Sequence, residues 1–146
     1  MSVLASKRGE QKLNVLISAK NLVEYILTIT QNEKVFKPTY QAVTTDIIAC
    51  AERIYTYLYT ANEIYRNEEN LETRRNYQTQ ASAECNVLLA LMDLSQKLNH
   101  FPSKKIVHVN KMINGYTDEN GNKTKGLKTL IQNWKSSDAA AVKKKT

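Results

Sequence analysis

Four glycines and two prolines are all the chain carries in 146 residues. Its apolar residues recur at three-and-four spacing rather than in alternation. Together these features disfavour sandwiches, barrels and glycine-cradled phosphate sites. The two cysteines, Cys50 and Cys85, are too few for a disulfide framework. Both fall within apolar helical stripes, as small core residues do, rather than where a thiol nucleophile would sit. The two histidines, His100 and His108, are poorly spaced to share a metal ion on one helical turn. No Glu-x-x-His pair, Walker-type loop or paired-glycine dinucleotide fingerprint occurs. The expectation is therefore a binding protein without catalytic residues, metal or cofactor. No apolar run approaches the roughly 20 residues of a membrane span, and Lys7, Arg8 and Glu10 interrupt the N-terminus before a signal-like core can form. A cytoplasmic location with no membrane contact follows as a second expectation.

What is present reads as helix. The length suits one domain with a full core. A first helix is expected over about residues 10–32. One of its stripes carries Leu13, Leu16, Ile17, Val23, Leu27 and Thr30, with Val15, Leu22, Ile26 and Ile29 beside it. So wide an arc implies two neighbouring helices, or one helix plus a partner subunit. Lys37-Pro38 breaks the pattern and Thr39 offers an N-cap. The second helix then repeats Val43, Ile47, Cys50, Ile54, Tyr57, Ala61 and Ile64 in a heptad-like seam. A polar connection over 66–70 leads to a third helix ending near Asn99, with Tyr77, Ala81, Cys85, Leu88, Leu91, Met92, Ser95 and Leu98 as its seam. Pro102 stops simple continuation and Ser103 can cap a fourth helix. That helix is interrupted over 117–126, where Asn120-Gly121 marks either a loop turn or a tiny hairpin. The expected fold is all-α, an up-and-down antiparallel four-helix bundle over 10–135. An N-terminal arm (1–9) precedes it and a basic, frayed tail (136–146) follows.

Charge is lopsided. Residues 1–66 hold eight basic and six acidic groups, 67–99 three and five, and 100–146 ten and three. The whole surplus of the +7 chain thus sits in the last third, which points to a polyanionic partner, with RNA or DNA foremost. Candidate phosphate ligands are Lys104, Lys105, Lys111, Lys128 and Lys135 along the broken fourth helix, together with Arg53, Arg66, Arg74 and Arg75 around the second turn. Lys123 and Lys125 belong to the same basic run. Tyrosine is the overrepresented aromatic, at eight against two phenylalanines. Tyr55, Tyr57, Tyr59 and Tyr65 crowd the second helix and cannot all face one core. Tyr55, Tyr59 and Tyr65 are read as an oligomer or partner interface or as ordinary packing with hydroxyls at the surface, with base stacking a third option.

Several segments carry a resemblance: Leu22-Val23-Glu24-Tyr25-Ile26-Leu27, Phe36, residues 47–62, Ala81-x-x-x-Cys85-x-x-Leu88-Leu89 and the run through Trp134 to Ser137. Over about residues 7–137 the chain resembles a four-helix-bundle family known from proteins encoded in intervening sequences of bacterial large-subunit ribosomal RNA genes. The same family includes the accessory variability determinant of diversity-generating retroelements. The resemblance implies a cytoplasmic homopentamer with a basic surface. Such a protein binds nucleic acid and partners a reverse transcriptase that copies a template RNA with errors at adenine. The excursion over 117–126 departs from the plainer fourth helix of that family, and Gln41, Thr44 and Thr45 make the start of the second helix less basic. The residues by themselves leave the subunit number open between dimer and pentamer, and the nucleic acid open among RNA, DNA and hybrid. The other reading is a structural homo-oligomer or protein-interaction module that binds no nucleic acid.

Overall fold

Lys37 takes an extended backbone (φ −68°, ψ 142°) immediately before Pro38, as the proline ring requires of its predecessor, and the chain turns there between its first two long helices. The computed structural model describes residues 2–143, with side chains described from 11 to 143. The elements in order are α1 (Ser2–Thr30), a 3-10 turn (Pro38–Tyr40), α2 (Gln41–Glu63), α3 (Leu71–Asn99), α4 (Lys104–Asn114), β1 (Gly115–Thr117), β2 (Lys123–Lys125) and α5 (Leu127–Lys143). The chain is mostly helical. α2 packs along α3, α1 lies against α2 and α5, and α3 also meets α5; the short α4 touches α1, α3 and α5. None of the described helices is long and apolar enough to cross a membrane.

The inward face of α3 runs Arg74, Gln78, Ala81, Cys85, Leu88, Met92, Ser95, Asn99, all buried. The spacing is a strict alternation of four and three, polar at both ends and apolar between. On α2 the buried set is Thr44, Ile47, Cys50, Ala51, Ile54, Leu58 and Ala61. The expected seam is met at Ile47, Cys50, Ile54 and Ala61, but Leu58 is buried where Tyr57 was expected, and Val43, Tyr57 and Ile64 are half-buried. An α-helix drifts about 20° per heptad against a 3.5-residue repeat, so over six turns the inward stripe moves onto the neighbouring position. Small side chains at Ala51, Ala61, Ala81, Cys50 and Cys85, all fully buried, let the helices approach closely.

Asn99 ties the first turn to the end of α3. Its Oδ1 accepts from the Lys37 amide at 2.9 Å, while its Nδ2 donates to the Ser95 carbonyl and hydroxyl at 3.0 and 3.1 Å. Phe36 plugs the same end against Phe101, ring centroids 5.1 Å apart. Thr39 does not cap α2; the 3-10 turn takes that role, with no side-chain cap at Tyr40. Ser103 sits at the N-cap of α4 without a side-chain bond. His100 ends α3 in the left-handed region at φ 59° and donates its amide to the Gln96 carbonyl, a residue other than glycine filling the usual left-handed C-cap.

Between α4 and α5 the chain forms a hairpin, pairing Gly115 with Lys125, Tyr116 with Thr124 and Thr117 with Lys123. Asp118 builds the tip by accepting from the Asn120 and Asn122 amides at 2.9 and 2.8 Å, an Asx-type turn. The base is tight: a Cβ on Gly126 would lie 2.3 Å from the Gly115 nitrogen.

Both ends differ from the expectation. α1 is helical from Ser2, so residues 2–9 of the segment read as an arm belong to the helix, and Met1 lies outside the described residues; Leu4, Ala5, Lys7, Arg8 and Glu10 favour helix, with only Gly9 against. α5 continues past Trp134 to Lys143, with Asp138, Ala141 and Val142 buried, because the Asp138 carboxylate has a partner in the core. The expected frayed tail is thus helix through Lys143; Lys144, Lys145 and Thr146 lie outside the described residues.

Candidate nucleic-acid groove

On α4, Val109 and Ile113 turn inward and are fully buried. Lys104, His108 and Lys111, four and three residues apart, form a stripe elsewhere on the helix surface. α1 runs beside this stripe and meets it through Tyr25, whose ring centroid lies 4.3 Å from that of His108 at 47°. Burial raises the Tyr25 phenol above its ordinary value, so the ring stays neutral at physiological pH. Two adjoining cavities open along the seam. The first, of about 420 Å³, is lined by Tyr25, Lys104, Lys105, Val107, His108 and Lys111. The second, of about 460 Å³, shares His108 and Lys111 with the first and continues between α1 and the hairpin. There Ser18, Asn21, Met112, Tyr116, Thr124 and Lys125 complete the wall.

The lining of both cavities contains four lysines and a histidine but no carboxylate. No ion pair engages Lys104, Lys105, Lys111 or Lys125 among the described residues. Lys111 Nζ instead stands 5.2 Å from the centre of the Tyr116 ring, a cation–π contact worth about 0.5–1 kcal/mol at an exposed site. Uncompensated cations in a concave seam focus a positive potential on whatever enters. The arrangement can hold phosphates, and it offers rings and amide groups beside them.

The other lysines predicted from sequence lie elsewhere. Lys128 donates to Asn86 Oδ1 on α3 at 2.9 Å. Lys135, half-buried, has its pKa lowered by burial and by the nearby charge of Arg75. These two lie beside α3, at Asn86 and Arg75, whereas Lys104, Lys105 and Lys111 line the cavity that Tyr25 of α1 also lines.

The arginine set is mostly committed to ion pairs, and Arg74 alone of it is buried. Arg74, expected on the surface, is 5% exposed. Its Nε and Nη2 bind the two carboxylate oxygens of Asp138 at 2.7 and 3.2 Å, and its Nη1 caps the carbonyls of Ala61 and Ile64 at the end of α2. The Trp134 ring covers the guanidinium at 5.0 Å. Arg66 joins Asp138 at 3.7 Å, and Arg53 pairs with Glu84 at 3.2 Å. Only Arg75 is exposed without an ion pair among the described residues. A helix C-terminus with unsatisfied carbonyls draws in a cation, which is why Arg74 points inward.

Burial chiefly, with help from Glu84, pushes the Cys50 thiol up to about 12, and burial does the same at Cys85. Both are held as protonated core residues. On α2, Tyr55 packs edge-on to Tyr59 with ring centroids 4.9 Å apart; Tyr59 and Tyr65 are exposed. No group of three or more potential metal-ligating side chains occurs among the described residues.

Sequence reasoning found Lys104, Lys105 and Lys111 but passed over His108, considered only as a metal ligand, and Tyr25, Asn21 and Tyr116. The spacing of Lys104, His108 and Lys111 was the available signal for one of these. Nothing in the sequence shows that α1 supplies the opposite wall. Compared with known proteins, the chain matches no protein family, no curated protein and no solved structure.

Proposed function

We propose that this chain is a non-catalytic nucleic-acid-binding protein that serves as accessory to a reverse transcriptase in the cytoplasm. The observation that carries nucleic-acid binding is the seam between α1 and α4, where Lys104, Lys105, His108, Lys111 and Lys125 converge with no carboxylate among them. Such a seam attracts phosphates without reading sequence. The reverse-transcriptase setting rests on the resemblance carried by the segments around Leu22, Phe36, Cys85 and Trp134, and on nothing in the groove itself. In this reading α4 and α5 share the fourth position of an up-and-down four-helix bundle, which accords with the packing of α5 against both α1 and α3. The test is binding of a structured RNA and of a single-stranded DNA, read by fluorescence anisotropy. Replacing Lys104, Lys105, Lys111 and Lys125 by glutamine is expected to abolish binding, while Lys128→Gln with Lys135→Gln has a small effect. Equal losses in the two variants would refute the groove.

A second reading, a structural homo-oligomer, is favoured by one specific observation. α1 exposes Leu13 and Ile17 at 56% and 47%, and Tyr65 after α2 is 70% exposed. Self-association would cover these exposed side chains, and the resemblance makes a pentamer the expected state. Light scattering in the absence of nucleic acid decides it: a monomer at all concentrations removes this reading.

A further inference from the structure

We infer that the cavity between α1 and the hairpin receives one unpaired base of a nucleic-acid strand, stacked on Tyr116. The inference deepens the nucleic-acid reading and rests on it. The cavity volume of about 460 Å³ lies in the range of small-molecule pockets, about 300–1,000 Å³. Its wall divides by chemistry into the three things a nucleotide requires. Met112 and Tyr116 offer apolar faces, the Tyr116 ring being 44% exposed. Ser18, Asn21 and Thr124 bring hydroxyls and an amide, and none of these side chains hydrogen-bonds within the described residues, which leaves them for the edge of a base. His108, Lys111 and Lys125 supply positive or protonatable groups for the flanking phosphates.

Tyr116 is held in place from behind. Gly115 and Gly126 meet so closely at the foot of the hairpin that a Cβ on either would stand 2.3–2.4 Å from backbone atoms of the opposite strand end, and the cross-strand partner of Tyr116 is Thr124, on the same wall. The Lys111 ammonium now occupies a position over the ring. A base stacking there displaces it toward the phosphate, exchanging one cation–π contact for base stacking and a charge-assisted hydrogen bond. A base stacked on Tyr116 with its edge turned to Ser18, Asn21 and Thr124 is one whose pairing edge is not engaged in a duplex. The adjoining cavity carries Lys104 and Lys105, placed for the next phosphates of the strand.

The experiment uses the full chain and a short uridine oligomer with one 2-aminopurine, followed by fluorescence and anisotropy. A blunt duplex of equal length and free 2-aminopurine riboside monophosphate are run beside it. Stacking quenches the probe, and Tyr116→Ala is expected to weaken binding of the single strand roughly tenfold or more. Tyr116→Phe retains it, and the duplex changes less than twofold. Single-strand binding unchanged in Tyr116→Ala overturns the inference, and leaves the nucleic-acid reading standing if the four-lysine variant still loses affinity. Failure of the four-lysine variant to lose affinity for either strand overturns both. Free monophosphate binding as tightly as the strand, with the same need for Tyr116, makes the cavity a free-nucleotide site and overturns the strand.

Discussion

Arg74 and Asp138, sixty-four residues apart, meet inside the protein as a two-pronged ion pair, Nε to Oδ2 at 2.7 Å and Nη2 to Oδ1 at 3.2 Å. Gln78 Nε2 adds a third bond to the same carboxylate at 3.0 Å. The pair joins the end of α2, the start of α3 and the last turns of α5. Removing one member strands the other charge in the core. Asp138→Ala is expected to cost about 3–5 kcal/mol of stability, read as a lowered urea midpoint. Arg74→Met with Asp138→Leu removes both charges and should cost markedly less. A double variant that costs the sum of Arg74→Met and Asp138→Leu made singly would show that the charges are not coupled.

Glu84 accepts from Cys50 Sγ at 3.0 Å and from Arg53 Nη2 at 3.2 Å. Burial alone would raise its pKa, but these two bonds and the charge of Arg53 bring it below its ordinary value. A carboxyl with a depressed folded pKa contributes stability above its unfolded pKa and loses it as pH falls through the folded one. Wild type should therefore lose stability between the ordinary carboxylate range and the lower folded value. Glu84→Gln should flatten that part of the profile in urea titrations at successive pH values.

Cys50 and Cys85 are both fully buried, with thiols raised to about 12. A thiol-specific chromogenic reagent at pH 8 is expected to find neither cysteine in the native chain and both after denaturation. The raised folded values also mean that the thiols contribute stability fully present below their unfolded pKa. That contribution declines as pH rises toward about 12, because only the unfolded chain ionises over that interval. Rapid native labelling would place at least one thiol at the surface.

Gly126 and Gly121 predict opposite sensitivities to a methyl group. A Cβ on Gly126 collides with the Gly115 nitrogen and the Ile113 carbonyl oxygen, whereas Gly121, at φ +82°, faces open space. Gly121→Ala should cost about 1 kcal/mol from the left-handed backbone alone. Gly126→Ala should cost more and also disturb Tyr116, which thermal melts and the 2-aminopurine signal can separate. A Gly126→Ala variant as stable as wild type would mean that the foot of the hairpin yields.

If the groove binds phosphates, affinity falls steeply with salt. Each groove lysine replaced by glutamine lowers the slope of log K against log salt by about 0.7 for a single strand. Slopes measured for the single and quadruple variants should descend in step. A slope that stays constant while affinity drops would place those lysines outside the phosphate contacts.

The local physics of this chain is written in its residues. The three-and-four spacing of apolar positions, the proline breaks at Pro38 and Pro102 and the scarcity of glycine make helices almost everywhere, and Asn120-Gly121 marks the turn. The surplus of lysine after His100 marks the basic end. Tertiary packing decided what those signals cannot carry. Periodicity constrains a helix face only to within about one residue, so Leu58 rather than Tyr57 entered the core. Propensity is blind to partners distant in sequence, so Asp138 drew Arg74 inward and kept the last turns of α5 helical where composition alone suggested a frayed tail. Packing also brought Tyr25 of α1 against His108 of α4, making one wall of a groove from a residue whose sequence neighbours are all helix core or surface. Pairing energies between residues more than eighty positions apart appear only once the chain has closed on itself, and for that reason the groove belongs to the fold and the lysines to the sequence.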